Sequence, residues 1–388
     1  MKRSTEEISK ALEAFPKIDL EDIRNFFGAA VPSRVCKRDF VEQLGAFIVD
    51  RPAEWLGRMP ERDLHLLSTL VEAGPGVPVE VDYPDYPSVL ETVRLLSADN
   101  ADPEIQRLWI SRELYDVVAP HLADALEAGE KDGSFELDRA ILGYLNLYGV
   151  LPATHLRVVM QDYWEYTGRG RYRDFLRRFE EAPAAKLCRY IIDGEEYFAA
   201  PGISDPESVV LRQEENAEKI EDFPVFSVRE ALEAGGNAPF FTFRLATPQG
   251  EALLGLLHDL GYNDAESRRD AHDIWMSSQM VEEGDTTEGI FASVNRVQDE
   301  IESFDFYNEA MQIIADYANI LPKWLLMGHC PDEVHMMKVV LRSDSGQLER
   351  IVKENPTMGL FVPAAPLYAP CPCGSGLSYK FCHGKYMN

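Results

Sequence analysis

The chain has 388 residues, enough for two to four domains that each bury a core. Its 45% hydrophobic content is ordinary for a globular protein, and no apolar run reaches the roughly 20 residues that cross a bilayer. Against 38 basic residues stand 66 acidic ones, a formal charge of −28 that repels phosphate backbones and anionic membranes except where a local basic patch intervenes.

The opening, MKRSTEEISKALEAF, turns acidic without an apolar stretch and does not read as a secretory signal. A cytoplasmic location is the expectation, with cysteines kept as thiols or metal ligands rather than disulfides. Residues 1–75 read as a helical N-terminal domain. Ser4 and Glu7 have capping-box spacing, and Ile8, Leu12 and Phe15 follow at helical intervals. The stretch Leu20–Ile48 resembles a helix-extension-helix unit of the SAP kind, with Arg34, Lys37 and Arg38 ahead of the second helix. A plain helical hairpin is the competing reading. Residues 76–135 read as a helical connector: a brief strand at 77–83, helices near 87–96 and 103–126, and a solvated linker, EAGEKDGS, at 127–134.

Residues 136–204 change character. Ile141, Leu142, Leu145 and Tyr148 form a helical stripe; a second helix carries Leu156, Met160 and Tyr163, and a third Tyr172, Phe175 and Phe179. Asp193-Gly194 between β-forming runs then predicts a hairpin. In outline this is similar to a winged helix. Its window 151–190 holds eight basic and five acidic residues in an otherwise acidic chain, so Arg171, Arg173, Arg177, Arg178 and Arg189 are candidate nucleic-acid contacts. Alternatively Asp174 pairs with Arg177 or Arg178 and the wing contacts protein.

Residues 205–345 return to helices, with Ile290, Phe291, Val294, Val297, Ile301 and Phe304 on one face and Met311, Ile314 and Tyr317 beyond. His329, Cys330 and His335 are spaced irregularly for a metal, and Cys36 and Cys188 sit in apolar patterns as core thiols. No arrangement typical of catalysis stands out. A linker spans 346–365, and residues 366–388 form a separate tail.

That tail places Cys371, Cys373, Cys382 and His383 within thirteen residues, although the whole chain has six cysteines. Three thiolates and an imidazole suit one tetrahedral Zn2+ with no open position, hence a structural zinc knuckle. Pro372 stiffens the backbone between the first thiolates, and Gly374 and Gly376 permit the tight turn. The pattern Cys-x-Cys-x8-Cys-His around Pro-Cys-Gly-Ser-Gly resembles the SEC-C motif, named from the tail of the SecA preprotein translocase. The resemblance implies a zinc-stabilised tail that contacts other proteins or the ribosome. Many such tails are lysine-rich before the third cysteine; here Leu377-Ser378-Tyr379-Lys380-Phe381 has one lysine, which favours a more apolar protein contact. The stretch from Leu321 to Val334 also resembles a segment upstream of the motif in other SEC-C proteins.

The expected molecule is thus mainly α: a multi-domain helical protein with a small winged-helix-like α+β unit and a C-terminal zinc knuckle. The expected role is a non-enzymatic cytoplasmic adaptor or regulator that binds zinc and docks on a protein or ribosomal partner. The alternative is a DNA- or RNA-binding regulator acting through the winged unit. A hydrolase with a carboxylate site among the helices after residue 205 is a third class.

Overall fold

A computed structural model describes residues 6–82, 88–99, 105–217, 223–236, 241–279 and 304–334. Helices dominate, joined by two small three-stranded sheets. No described helix is long and apolar enough to cross a membrane. The described residues up to Val210, together with Phe226–Phe243, form one compact unit; Leu211–Val225 and those from Arg244 onward form the other.

The first unit begins with α1 (Glu6–Glu13), α2 (Lys17–Phe27), α3 (Lys37–Asp50), α4 (Pro52–Leu56) and α5 (Glu61–Ala73). Their apolar stripes bury Leu12, Leu20, Phe27, Phe40, Leu44 and Trp55 completely, and the Trp55 indole donates to the Ile48 carbonyl at 2.9 Å. α2 ends at Gly28, whose φ of 73° is the left-handed region that glycine adopts without strain, and the Arg58 guanidinium lies where a side chain there would sit. α2 and α3 pack against each other as two successive helices. Two basic residues in the first turn of α3 serve it locally: the Lys37 ammonium donates to the Glu13 carbonyl at 2.8 Å, and Arg38 lies 3.6 Å from Asp39.

The connector is not purely helical. It contains β1 (Val79–Asp82), the short α6 (Val89–Thr92), β2 (Leu96–Asp99) and β3 (Ile105–Ile110), in an antiparallel sheet ordered β1-β3-β2. The run IQRLWI fits either a helix start or an alternating strand. Pairing on both sides decides for the strand, with Gln106, Leu108 and Ile110 inward and Arg107 outward, where it meets Glu80 across the strands at 2.8 Å. Nor is 127–134 a linker. α7 (Arg112–Val118) leads to α8 (Leu122–Asp132), whose charges Glu127 and Lys131 pair one turn apart on an exposed face, and Gly133 turns the chain directly into α9 (Ser134–Tyr148).

Around α9 the structure places two longer helices and the hairpin: β4 (Val150–Pro152), α10 (Ala153–Thr167), α11 (Tyr172–Glu181), the short α12 (Pro183–Leu187), β5 (Arg189–Ile192) and β6 (Glu195–Ala199). β4 adds a third strand, giving the antiparallel order β4-β6-β5. Asp193 and Gly194 both have positive φ, 50° and 82°, the geometry of a two-residue hairpin turn. Further along, α13 (Pro206–Ala217) precedes α14 (Val228–Ala234), which is capped by a Ser227–Glu230 capping box. α14 lies against α9 so closely that a Cβ on Gly143 would stand 1.7 Å from the Ala231 carbonyl oxygen, and one on Gly235 1.8 Å from that of Arg139. The Asn146 amide fixes this crossing by donating to the Ala234 carbonyl at 3.0 Å.

The second unit is built on α15 (Pro248–Asp259), capped by Thr247, α16 (Asp264–Ser277), capped by Asn263, and α17 (Phe304–Asn319). Ile314 and Tyr317 are buried on α17 as their spacing predicts, whereas the stripe from Ile290 to Ile301 lies outside the described residues.

Candidate functional site

A cleft of about 910 Å³ opens in the first unit between α2, the start of α5, α9 and the α12–β5 junction. Ile23, Phe26, Val93, Leu142 and Leu187 supply much of its apolar wall. Glu61 and Arg139 form the polar pair at its side, with Oε2 to Nε at 2.7 Å and a second contact from Oε1 to the guanidinium. Burial alone would raise the Glu61 carboxyl, but hydrogen bonds from His65 and Arg139 outweigh it and hold the group down at about 2. Asp138, one turn before Ile141 on the buried stripe of α9, accepts the Ala184 N–H at 3.1 Å; burial pushes it up to about 7. The Cys188 thiol, buried as expected, is pushed up to about 12 by burial and by Asp138, which makes it a poor nucleophile. Cys36, expected in the core, is exposed instead, because it occupies the capping position ahead of α3 where the side chain stands outside the helix.

The five candidate arginines separate by environment. Arg189 on β5 contacts Glu180 and lies 3.3 Å from Glu196, while Arg157 reaches the same two carboxylates at 3.1 and 2.9 Å. This cluster of two cations and two anions is electrically balanced. Arg178 donates to the Asp132 carbonyl at 2.7 Å, and Arg177 stands 4.0 Å from Asp174, the one-turn pairing that spacing allows. Arg171 and Arg173 are exposed at the start of α11.

In the second unit the segment after α17 is held by a buried polar network. The Trp275 indole and Gln279 amide donate to the Pro322 carbonyl at 3.0 and 2.9 Å, and Gln213 and Asn216 reach the Trp324 and Leu325 carbonyls at 2.9 and 2.7 Å. The Lys323 ammonium contacts the Ser278 hydroxyl, which itself donates to the Trp275 carbonyl at 2.7 Å. His329 is engaged by Glu333 at 3.2 Å, and the same carboxylate oxygen accepts the Cys330 N–H at 3.0 Å. The first contact engages the His329 ring, the Cys330 thiol is free and buried, and His335 lies outside the described residues. Among the described residues no group of three or more His, Cys, Asp or Glu side chains can hold a metal ion.

The tail donors Cys371, Cys373, Cys382 and His383 also lie outside the described residues. What identifies the tail is its pattern. Residues 369–385 match the SEC-C motif. No curated protein and no solved structure matches the chain. The SEC-C match covers the tail alone, and its three thiols and one imidazole have the soft, borderline chemistry that Zn2+ selects.

The cleft was not legible beforehand, since Glu61, Asp138 and Lys186 come from distant parts of the chain. One sign of it was present: Asp138 shares a helical face with Ile141, Leu145 and Tyr148, and a carboxylate on a buried stripe calls for a partner.

Proposed function

We propose that this protein is a non-enzymatic adaptor or regulator that carries one zinc ion in its SEC-C tail and docks through that tail on a protein or ribosomal partner. The observation that carries the reading is the SEC-C match over residues 369–385, with Cys371, Cys373, Cys382 and His383 as the ligands. Bound there, zinc supplies folding energy: a tail whose large apolar residues are Leu367, Tyr368, Leu377, Tyr379, Phe381, Tyr386 and Met387 buries too little surface to order itself. The absence of a lysine run favours a protein surface over ribosomal RNA.

The test is metal analysis of the purified chain with a pull-down in parallel. About one zinc per chain is expected. Cys371→Ala or Cys382→Ala lowers it towards zero, whereas Cys36→Ala and Cys188→Ala do not. Removal of residues 366–388 abolishes capture of the partner, with and without nuclease. Zinc content unchanged in Cys371→Ala overturns the ligand assignment.

A second reading is nucleic-acid binding through the winged-helix-like unit. Its support is the exposure of Arg171, Arg173 and Arg177 along one short helix; the balanced cluster around Arg189 speaks for the protein-contact reading of the wing.

A further inference from the structure

β5 stands at the end of its sheet and pairs only with β6 among the described residues. The bond from the Ala199 N–H to the Cys188 carbonyl, 2.9 Å long, sets the alternation of the pair. Tyr190 and Ile192 therefore exchange backbone bonds with β6, and the N–H and C=O groups of Arg189 and Ile191 turn to the open side. Natural edges are guarded by charges, prolines or bulges. Here the one charged residue, Arg189, is committed to Glu180 and Glu196, and Ile191 is 68% exposed with Tyr190 at 37%. The beginning of this strand lines the cleft.

The surroundings of the edge also carry an excess of positive charge. Lys186, on the cleft wall, has no hydrogen bond among the described residues, and neither has Arg58. Burial lowers the Lys186 ammonium, Arg58 and Arg189 push it further in the same direction, and Glu181 alone opposes them. Two cations against one acid, Glu181, leave a local excess of positive charge in an otherwise acidic chain, and that local excess favours an anion.

We propose that an extended acidic peptide adds to β5 as a further strand, placing a carboxylate on Lys186 and an apolar side chain in the cleft. Backbone bonds to Arg189 and Ile191 hold it, as in other strand-addition complexes, and the cations select its charge. The partner is thus a protein segment that alternates apolar and acidic residues. The site deepens the adaptor reading without depending on the tail, so Cys371→Ala binds the peptide as the parent chain does.

The test uses the full chain and a fluorescently labelled peptide of alternating valine and glutamate, read by anisotropy. Binding is expected, and Lys186→Glu weakens it at least tenfold. A valine–lysine peptide does not bind. N-methylation of the alternate peptide amides that face β5 abolishes binding, while methylation of the opposite set leaves it, a readout that requires no change to the protein. No binding up to about 1 mM peptide overturns the proposal. So does equal binding of both methylated forms, equal binding of the lysine peptide, or loss of binding as protein concentration rises because a second copy takes the edge.

Discussion

Asp138 Oδ1 accepts the backbone N–H of Ala184 at 3.1 Å, tying α9 to the opening of α12 across 46 residues of sequence. Asp63 does the same for α6, accepting the Val89 N–H at 3.1 Å. Both carboxyls satisfy a helix start at the cost of burial, which raises Asp138 to about 7 and Asp63 to about 6. The folded chain holds these protons more tightly than the unfolded one. Their contribution is therefore complete below pH about 4 and lost as pH climbs through 6 and 7. Asn keeps the acceptor without the charge, so Asp138→Asn is expected to raise stability at pH 8 by up to about 4 kcal/mol and to flatten the slope between pH 4 and 7. Urea midpoints across that range check it; a slope unchanged by the substitution contradicts it.

Lys323 works in the opposite sense. Burial lowers its ammonium to about 7, so folding releases a proton from the value near 10.4 of an unfolded lysine. Its penalty is complete below pH 7 and disappears as pH rises from 7 towards 10. Lys323→Met should stabilise the chain at pH 6.5 and remove that rise, as read from denaturation midpoints. A destabilised Lys323→Met at pH 6.5 would mean that the contact with Ser278 outweighs the burial of the charge.

Two glycines make a paired test of packing. Gly143→Ala forces a methyl into the Ala231 carbonyl and should destabilise by about 3 kcal/mol. Gly255, inside α15 and facing open space, has no such neighbour, so Gly255→Ala should stabilise by up to about 1 kcal/mol. Thermal melts of the two variants, moving in opposite directions, are the expected outcome.

If the unit of α9–α11 and the β5–β6 hairpin binds duplexes, Arg173→Glu with Arg177→Glu abolishes binding, and the parent affinity falls steeply with added salt. Arg189→Ala should behave differently. Its guanidinium is engaged by two glutamates and lies 5.5 Å over the Phe198 ring, so its loss unsettles the wing without reducing the salt slope by a full phosphate contact. No mobility shift of any duplex or single strand at low salt would remove the nucleic-acid reading.

Local signals carried much of the architecture. The stripes of α2, α3, α9 and α10 and the Asp193-Gly194 turn appear where periodicity and turn chemistry place them. The β1-β3-β2 sheet did not, because IQRLWI is ambiguous until two remote segments pair with it. Composition misled at 127–134: an acidic, glycine-containing stretch looks like a linker, yet Gly129 lies within α8 and Gly133 alone turns the chain. The SEC-C pattern is readable because its cysteines and histidine are close in sequence. The cleft is not, since the bond between Glu61 and Arg139 spans 78 residues.

The contact of α14 with α9 has a consequence during synthesis. The chain leaves the first unit after Val210 and returns for Phe226–Phe243 before leaving again. Asn146 thus waits 88 residues for the carbonyl that its amide meets, and a nascent chain halted near residue 210 would present the Gly143 face of α9 uncovered. At about 5–20 residues per second, that surface stays exposed on the ribosome for several seconds, an interval in which a chaperone or a premature neighbour can reach it.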